Sequence, residues 1–163
     1  MEKPKFVYVT YIRTTPEQLW EALTQPEFTR RFFAGTTQEC EWKKGATWRL
    51  VTPKGMVLDS GHVLEIDPPR RLVLSWQKEF KPELRDETPS RLTYEIEQQK
   101  EMVKFTLVHE SDVPGSKLIE AVSNGWPLIL SSLKAMLETG EPLPGTSTWP
   151  EDDACVVDTV VKS

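Results

Sequence analysis

Two histidines and two cysteines are the side chains of this 163-residue chain best suited to acid–base, nucleophilic or metal chemistry. Cys40 and Cys155 form no CxxC and have no His at zinc-ligand spacing, so neither a zinc site, a disulfide nor a catalytic thiol is expected. The chain carries no HExxH, no GxSxG and no Gly-rich phosphate loop. Glu110 and Asp112 are a carboxylate pair, yet they stand just before the Pro114-Gly115 turn and read as solvated surface. Arg30-Arg31 is too short to make an anion-binding patch. His109 shares strand parity with Phe105 and Leu107, which points it inward. There it could donate to a ligand carbonyl or act as a base, or it could be a buried imidazole satisfied by the backbone. His62 has the same inward parity as Leu64 and Ile66 but follows Gly61, where a bulge could turn it out. No metal and no cofactor are expected, and no catalytic residue is assigned.

What stands out instead is six Trp and six Phe against three Tyr. Large rings beside few catalytic groups suit a chain that lines a cavity. The wider composition is that of one globular domain, 38% hydrophobic and 28% charged. A net charge of −5 repels polyanions, which argues against nucleic acid or an anionic membrane as the main partner. No apolar run approaches the ~18 residues that span a bilayer, and the N-terminus is not a signal core. A cytoplasmic protein is expected.

These residues must be positioned by an α+β arrangement. Phe6 to Ile12 reads as a strand closed by Thr14-Thr15-Pro16. Thr15 at N-cap, Pro16 at N1 and Gln18 at N3 open a helix with Leu19, Trp20 and Leu23 on its apolar face, and Pro26 separates it from a second short helix carrying Phe28, Phe32 and Phe33. From Thr36 to Glu110 the hydrophobic period becomes two, room for five or six strands with short connections, hence antiparallel. Lys78 to Arg91 is charged and reads as a mobile loop. A stripe from Leu118 to Leu137 at i, i+3, i+4 and i+7 predicts a helix over about Ser116 to Thr139, roughly 36 Å long, stopped by Gly140 and Pro142. Residues 1–143 form the domain on this reading, and 144–163 an extended, disordered tail with a small apolar patch at Cys155-Val156-Val157.

Three separated stretches then match a known pattern: Thr15-Pro16-Glu17-Gln18-Leu19-Trp20, Gly61-His62-Val63-Leu64-Glu65-Ile66-Asp67-Pro68-Pro69-Arg70-Arg71-Leu72, and Ser75-Trp76. With Gly125-Trp126 and Leu137-Glu138-Thr139-Gly140 they resemble the START-like helix-grip (SRPBCC) superfamily, in the branch that includes the C-terminal domain of the activator of the 90-kDa heat-shock protein ATPase. The resemblance covers about Val7 to Pro144. It implies a curved antiparallel sheet of six or seven strands gripping the C-terminal helix, with a cavity that in many relatives takes a small hydrophobic ligand. It also implies a chaperone as a possible partner, although the separate N-terminal domain of the chaperone activator has no counterpart here.

Parity assigns the walls of such a cavity. Trp48, Leu64, Leu74, Trp76, Tyr94, Phe105 and His109 are expected to face inward from the sheet. Trp126 and Leu130 are expected from the long helix, and Trp20, Phe32 and Phe33 from the short ones. Pro127, inside the long helix, should kink it or loosen a turn and so leave room. Two functions follow as expectations: binding of a small hydrophobic or aromatic molecule, lipid included, by a monomer or weak homodimer, or a surface that modulates a chaperone. Fold alone does not choose between them.

Overall fold

The computed structural model describes residues 3–79 and 81–149. Strand β1 (Lys5–Ile12) leads into two short helices, α1 (Pro16–Thr24) and α2 (Pro26–Phe32). Six strands follow: β2 (Thr37–Glu39), β3 (Thr47–Val51), β4 (Val57–Asp67), β5 (Arg71–Lys78), β6 (Ser90–Gln99) and β7 (Met102–Glu110). A one-turn helix, α3 (Pro82–Arg85), lies between β5 and β6, and α4 (Lys117–Thr139) closes the series. The strands make one antiparallel sheet in the order β1-β7-β6-β5-β4-β3-β2. This is the expected α+β helix-grip: a curved seven-stranded sheet with α4 on its apolar face. No helix among the described residues is long and apolar enough to cross a membrane.

The helix ends follow their sequence signals. Thr15 Oγ1 accepts the backbone N–H of Gln18 at 3.1 Å, and Pro16 occupies the first turn, where its missing N–H costs nothing. For α4, Ser116 Oγ accepts from the Ile119 N–H and donates to Glu87 Oε2, while Glu87 Oε1 accepts from the Lys117 N–H. A carboxylate at the positive end of the helix dipole completes that cap. Gly140, at φ 87°, takes the left-handed turn that ends α4. The helix runs unbroken through Pro127 and buries Leu118, Ile119, Val122, Trp126, Ile129, Leu130, Leu133 and Met136.

Three expectations are corrected. The segment Lys78 to Arg91 is not a bare charged loop: Lys78 is buried at the end of β5, Leu84 of α3 is buried, and Glu87 caps α4. Packing also continues past residue 143. The Ala34 N–H donates to the Thr146 carbonyl at 2.7 Å, the Ser132 and Thr146 hydroxyls meet at 2.7 Å, and Trp149 joins the core. The Cys155 patch lies outside the described residues. Lastly, the register of β4 against β5 shifts by one between Val63 and Glu65. The extra residue is Leu64. It is 38% exposed, while Val63 is buried and His62 is exposed, so the inward set there is Gly61, Val63 and Ile66.

Gly61 pairs with Trp48 on β3, and a Cβ on it would lie 1.8 Å from the Ser75 carbonyl oxygen of β5. Only glycine lets β4 pass this close. Gly61→Ala is therefore expected to destabilise the fold by at least the 1–3 kcal/mol typical of overpacking, roughly. The check is a lower urea midpoint at unchanged m-value.

Candidate functional site

The rings gather between α4 and strands β3, β5 and β7. Trp76 on β5 is the centre: its ring lies 4.4 Å from Trp48, 5.6 Å from Trp126 and 5.4 Å from His109, centroid to centroid. Phe33, at the end of α2, meets Trp126 edge-on at 5.6 Å. These tilted and edge-to-face contacts are the favourable ones for aromatic quadrupoles.

A buried indole must also place its N–H, and each of the three does so on a polar side chain. Trp48 Nε1 donates to Gln38 Oε1 at 2.7 Å, and Gln38 Nε2 donates to the Leu23 carbonyl at 2.5 Å. Trp126 Nε1 donates to His109 Nδ1 at 3.1 Å. Ser90 Oγ, 2.8 Å from His109 Nε2, gives its own proton to the Trp76 carbonyl. Since the indole can only donate and the serine proton is used, the ring must be neutral with its proton on Nε2. Burial, helped by the positive charge of Lys78, pushes the His109 pKa from 6.5 to about 3. His109 faces inward as expected, but both its nitrogens serve the protein and neither is open to a ligand or a substrate proton.

Trp76 Nε1 donates to Asp59 Oδ1 at 2.9 Å. Asp59 and Lys78 are cross-strand partners on β4 and β5, both essentially unexposed, with Nζ 3.4 Å from Oδ1. Burial pushes the Asp59 carboxyl up and the Lys78 ammonium down, and each charge partly holds the other in place. Asp59 Oδ2 is buried and meets no hydrogen-bond donor among the described residues. Leaving such an acceptor bare costs on the order of 1–3 kcal/mol.

Between these groups and α4 lies a shallow recess whose enclosed volume is about 20 Å³, room for a single water. It is walled by Phe33, Trp76 and Trp126, by Val122, Gly125 and Ile129 of α4, and by Asp59 and Lys78. Of the twelve residues expected at a cavity wall, Phe33, Trp76 and Trp126 therefore border it. Phe32, Trp48, Leu74, Tyr94, Phe105, His109 and Leu130 are buried in the packed interior around it, Trp20 is half-buried on α1, and Leu64 is on the surface. Tyr94 packs on Phe105 at 5.5 Å, and burial holds its phenol far above the ordinary value.

Lys78 shares the parity of Trp76, but Asp59 has the parity opposite to Leu64 and Ile66, and only the register shift in β4 makes it an inward residue. Elsewhere, Asp112 pairs with Lys3 at 2.9 Å, and Arg31 donates to the Gly140 carbonyl. The Cys40 thiol is pushed up by partial burial. Among the described residues no group of three His, Cys, Asp or Glu could hold a metal ion.

A sheet gripping a helix over a ring-lined recess defines a helix-grip protein. The family described as "Activator of Hsp90 ATPase homolog 1-like protein" matches residues 13–138, and the chain belongs to it. No curated protein sequence matches. Among solved structures, protein MLL2253 from Mesorhizobium loti is 20% identical with a TM-score of 0.70, over 82% of this chain and 96% of that one. The Aha1 dimer from Colwellia psychrerythraea is 16% identical with a TM-score of 0.66, over 84% and 98%. PFC0360w, an HSP90 activator from Plasmodium falciparum, is 23% identical with a TM-score of 0.62, over 75% and 86%. At these identities the likeness is one of fold.

The His109 network makes stability pH-dependent. The unfolded imidazole binds its proton near pH 6.5 and the folded one only near 3. The stabilisation is thus complete above about 6.5 and is lost as pH falls toward 3, by up to about 4–5 kcal/mol. His109→Gln, which can still accept from Trp126 and donate to Ser90, is expected to show a shallower loss of denaturation midpoint between pH 6.5 and 4 than the wild type.

Proposed function

We propose that the protein binds one compact apolar or aromatic molecule in the recess beneath α4, with no catalytic step assigned. The observation that carries this reading is the recess itself: three aromatic walls and an aliphatic helix face around an enclosed volume of about 20 Å³. That is room for a single water, so a ring would enter only as the side chains around the mouth give way, and a single ring fits this better than an acyl chain. Burying ~120 Å² of ring surface would contribute on the order of 3 kcal/mol, so binding is expected to be loose before polar contacts are added. The test is titration of toluene against the full chain, followed by the side-chain methyl resonances of Val122 and Ile129. Saturable shifts are expected in the wild type and should be lost in Val122→Trp, which fills the recess. A wild type without saturable shifts would sink the reading.

A second reading is a protein-interaction module acting on a chaperone ATPase. Family membership supports it, together with an exposed apolar stripe on edge strand β1, Val7, Val9 and Tyr11, each 45–48% accessible. Such an edge is a ready surface for another chain. If it is right, adding the protein to a purified 90-kDa heat-shock protein raises ATP turnover, and Val9→Lys removes the effect without lowering the stability of the domain. Unchanged turnover with the wild type would end it.

A further inference from the structure

We propose that β1 is the contact strand of a symmetric dimer, in which two copies of the chain pair through it, antiparallel, and join their sheets into one. The inference stands apart from the recess and starts from the backbone of β1. The Ser111 N–H donates to the Pro4 carbonyl at 3.0 Å, and the pairing with β7 runs without a shift from Lys5 to Ile12. Hydrogen-bonded positions alternate in an antiparallel pair, so the even-numbered residues of β1 turn their N–H and C=O groups toward β7 and the odd-numbered ones turn theirs away. At one end α4 takes two of these outward groups: Lys134 Nζ donates to the Tyr11 carbonyl, and Glu138 Oε2 accepts from the Arg13 N–H. Lys5, Val7 and Val9 have no backbone partner on that side among the described residues.

Sequence and charge select the partner. A long edge strand is usually blunted by a proline, a bulge or an inward-pointing charge. None of these interrupts β1: its one charge is Lys5 at the start, and Phe6, Val7, Tyr8, Val9 and Tyr11 leave apolar surface on both faces. Around Tyr8 the strand reads almost alike in both directions. Antiparallel pairing with Tyr8 on the two-fold axis sets Val7 against the partner's Val9 and Lys5 against the partner's Tyr11, so apolar groups meet and no like charges face each other. Val7 and Val9 then exchange all their outward N–H and C=O groups, and the Tyr11 N–H meets the Lys5 carbonyl. The net charge of −5 does not gather at this edge, because each end carries a balanced pair, Lys3 with Asp112 and Lys134 with Glu138. The arrangement also closes. The opposite edge of the sheet is β2, only three residues long, so a dimer through β1 leaves short edges alone and grows no further.

The experiment uses the full-length protein. Sedimentation is expected to show a monomer–dimer equilibrium, at least half dimeric by ~1 mM chain, as suits a small and transient interface. Val7→Pro removes an outward N–H that β7 does not use. It should abolish the dimer while moving the urea midpoint no more than a surface substitution does. The register is read by crosslinking with oxidised glutathione in a chain whose Cys40 and Cys155 are replaced by serine. Val7→Cys and Val9→Cys mixed in equal amounts should form disulfide-linked dimers at least about tenfold faster than either alone, since directly opposed Cα atoms about 5.5 Å apart lie within disulfide reach. A wild type that stays monomeric at ~1 mM, a dimer that survives Val7→Pro, or crosslinking no faster in the mixture would overturn the inference. So would Val7 and Val9 amides that exchange freely in the chain alone and gain protection only when the 90-kDa heat-shock protein is added, an outcome that gives the edge to that partner.

Discussion

Three indoles meet between α4 and the concave face of the sheet, and each has to surrender its N–H to an acceptor that water cannot supply. That requirement organises the interior. Gln38 is drawn in to serve Trp48, His109 to serve Trp126 and Asp59 to serve Trp76. Each acceptor brings a further obligation: Gln38 needs the Leu23 carbonyl, His109 needs Ser90, and Asp59 comes with Lys78. The polar groups of this cluster are thus consequences of its rings. A polar network paired at nearly every member rigidifies the packing around it, and among the described residues the one buried side-chain atom left without a partner is Asp59 Oδ2.

The same crowding explains why the space is small. Trp76 touches Trp48 and Trp126 on either side, and Gly61 lets β4 run close enough to β5 for the rings to close. Most of the aromatic surface is spent on packing, and Val122, Gly125, Trp126 and Ile129 are the part of α4 that borders the recess. Gly125 contributes by having no side chain there. The outer face is governed by different physics. Glu65, Arg71, Glu95 and Arg91 on β4, β5 and β6 form a solvated ion-pair network, whereas β1 leaves Val7, Val9 and Tyr11 bare. A binding role would therefore draw on the inside of the sheet and a partner role on its edge, two surfaces built by the same strands with opposite parity.

How far the sequence could be read depended on whether one period governed a segment. In β5, β6 and β7 the alternation is unbroken, so Leu74, Trp76, Tyr94, Phe105 and His109 fall on the inner face as parity requires. The α4 stripe and both its caps follow from local chemistry at Ser116 and Gly140. Parity fails at His62 and Leu64 because the extra residue in β4 puts the side chains before it and after it in opposite phase, and no local signal marks the bulge when Val63 and Leu64 are both apolar. The region after Trp76 was misjudged for a related reason. Lys78 looks like the first charge of a loop, and its burial is possible only because Asp59 arrives from β4, nineteen residues upstream and across the sheet.

By itself, then, the amino-acid sequence determined the elements, their order, the antiparallel pairing and which rings turn inward, because helix caps, turns and period-two alternation act over a few residues. It also carried the family pattern. Only the tertiary structure decided which of those rings leave a recess and which fill the core, that both nitrogens of His109 are taken, and that Asp59 and Lys78 share its wall. Those outcomes hang on distances between side chains far apart in the chain: 4.4 Å between Trp48 and Trp76, 3.1 Å from Trp126 to His109, 3.4 Å from Lys78 to Asp59. Such distances are set by how strands and helix close on one another, and pattern along the chain does not carry them.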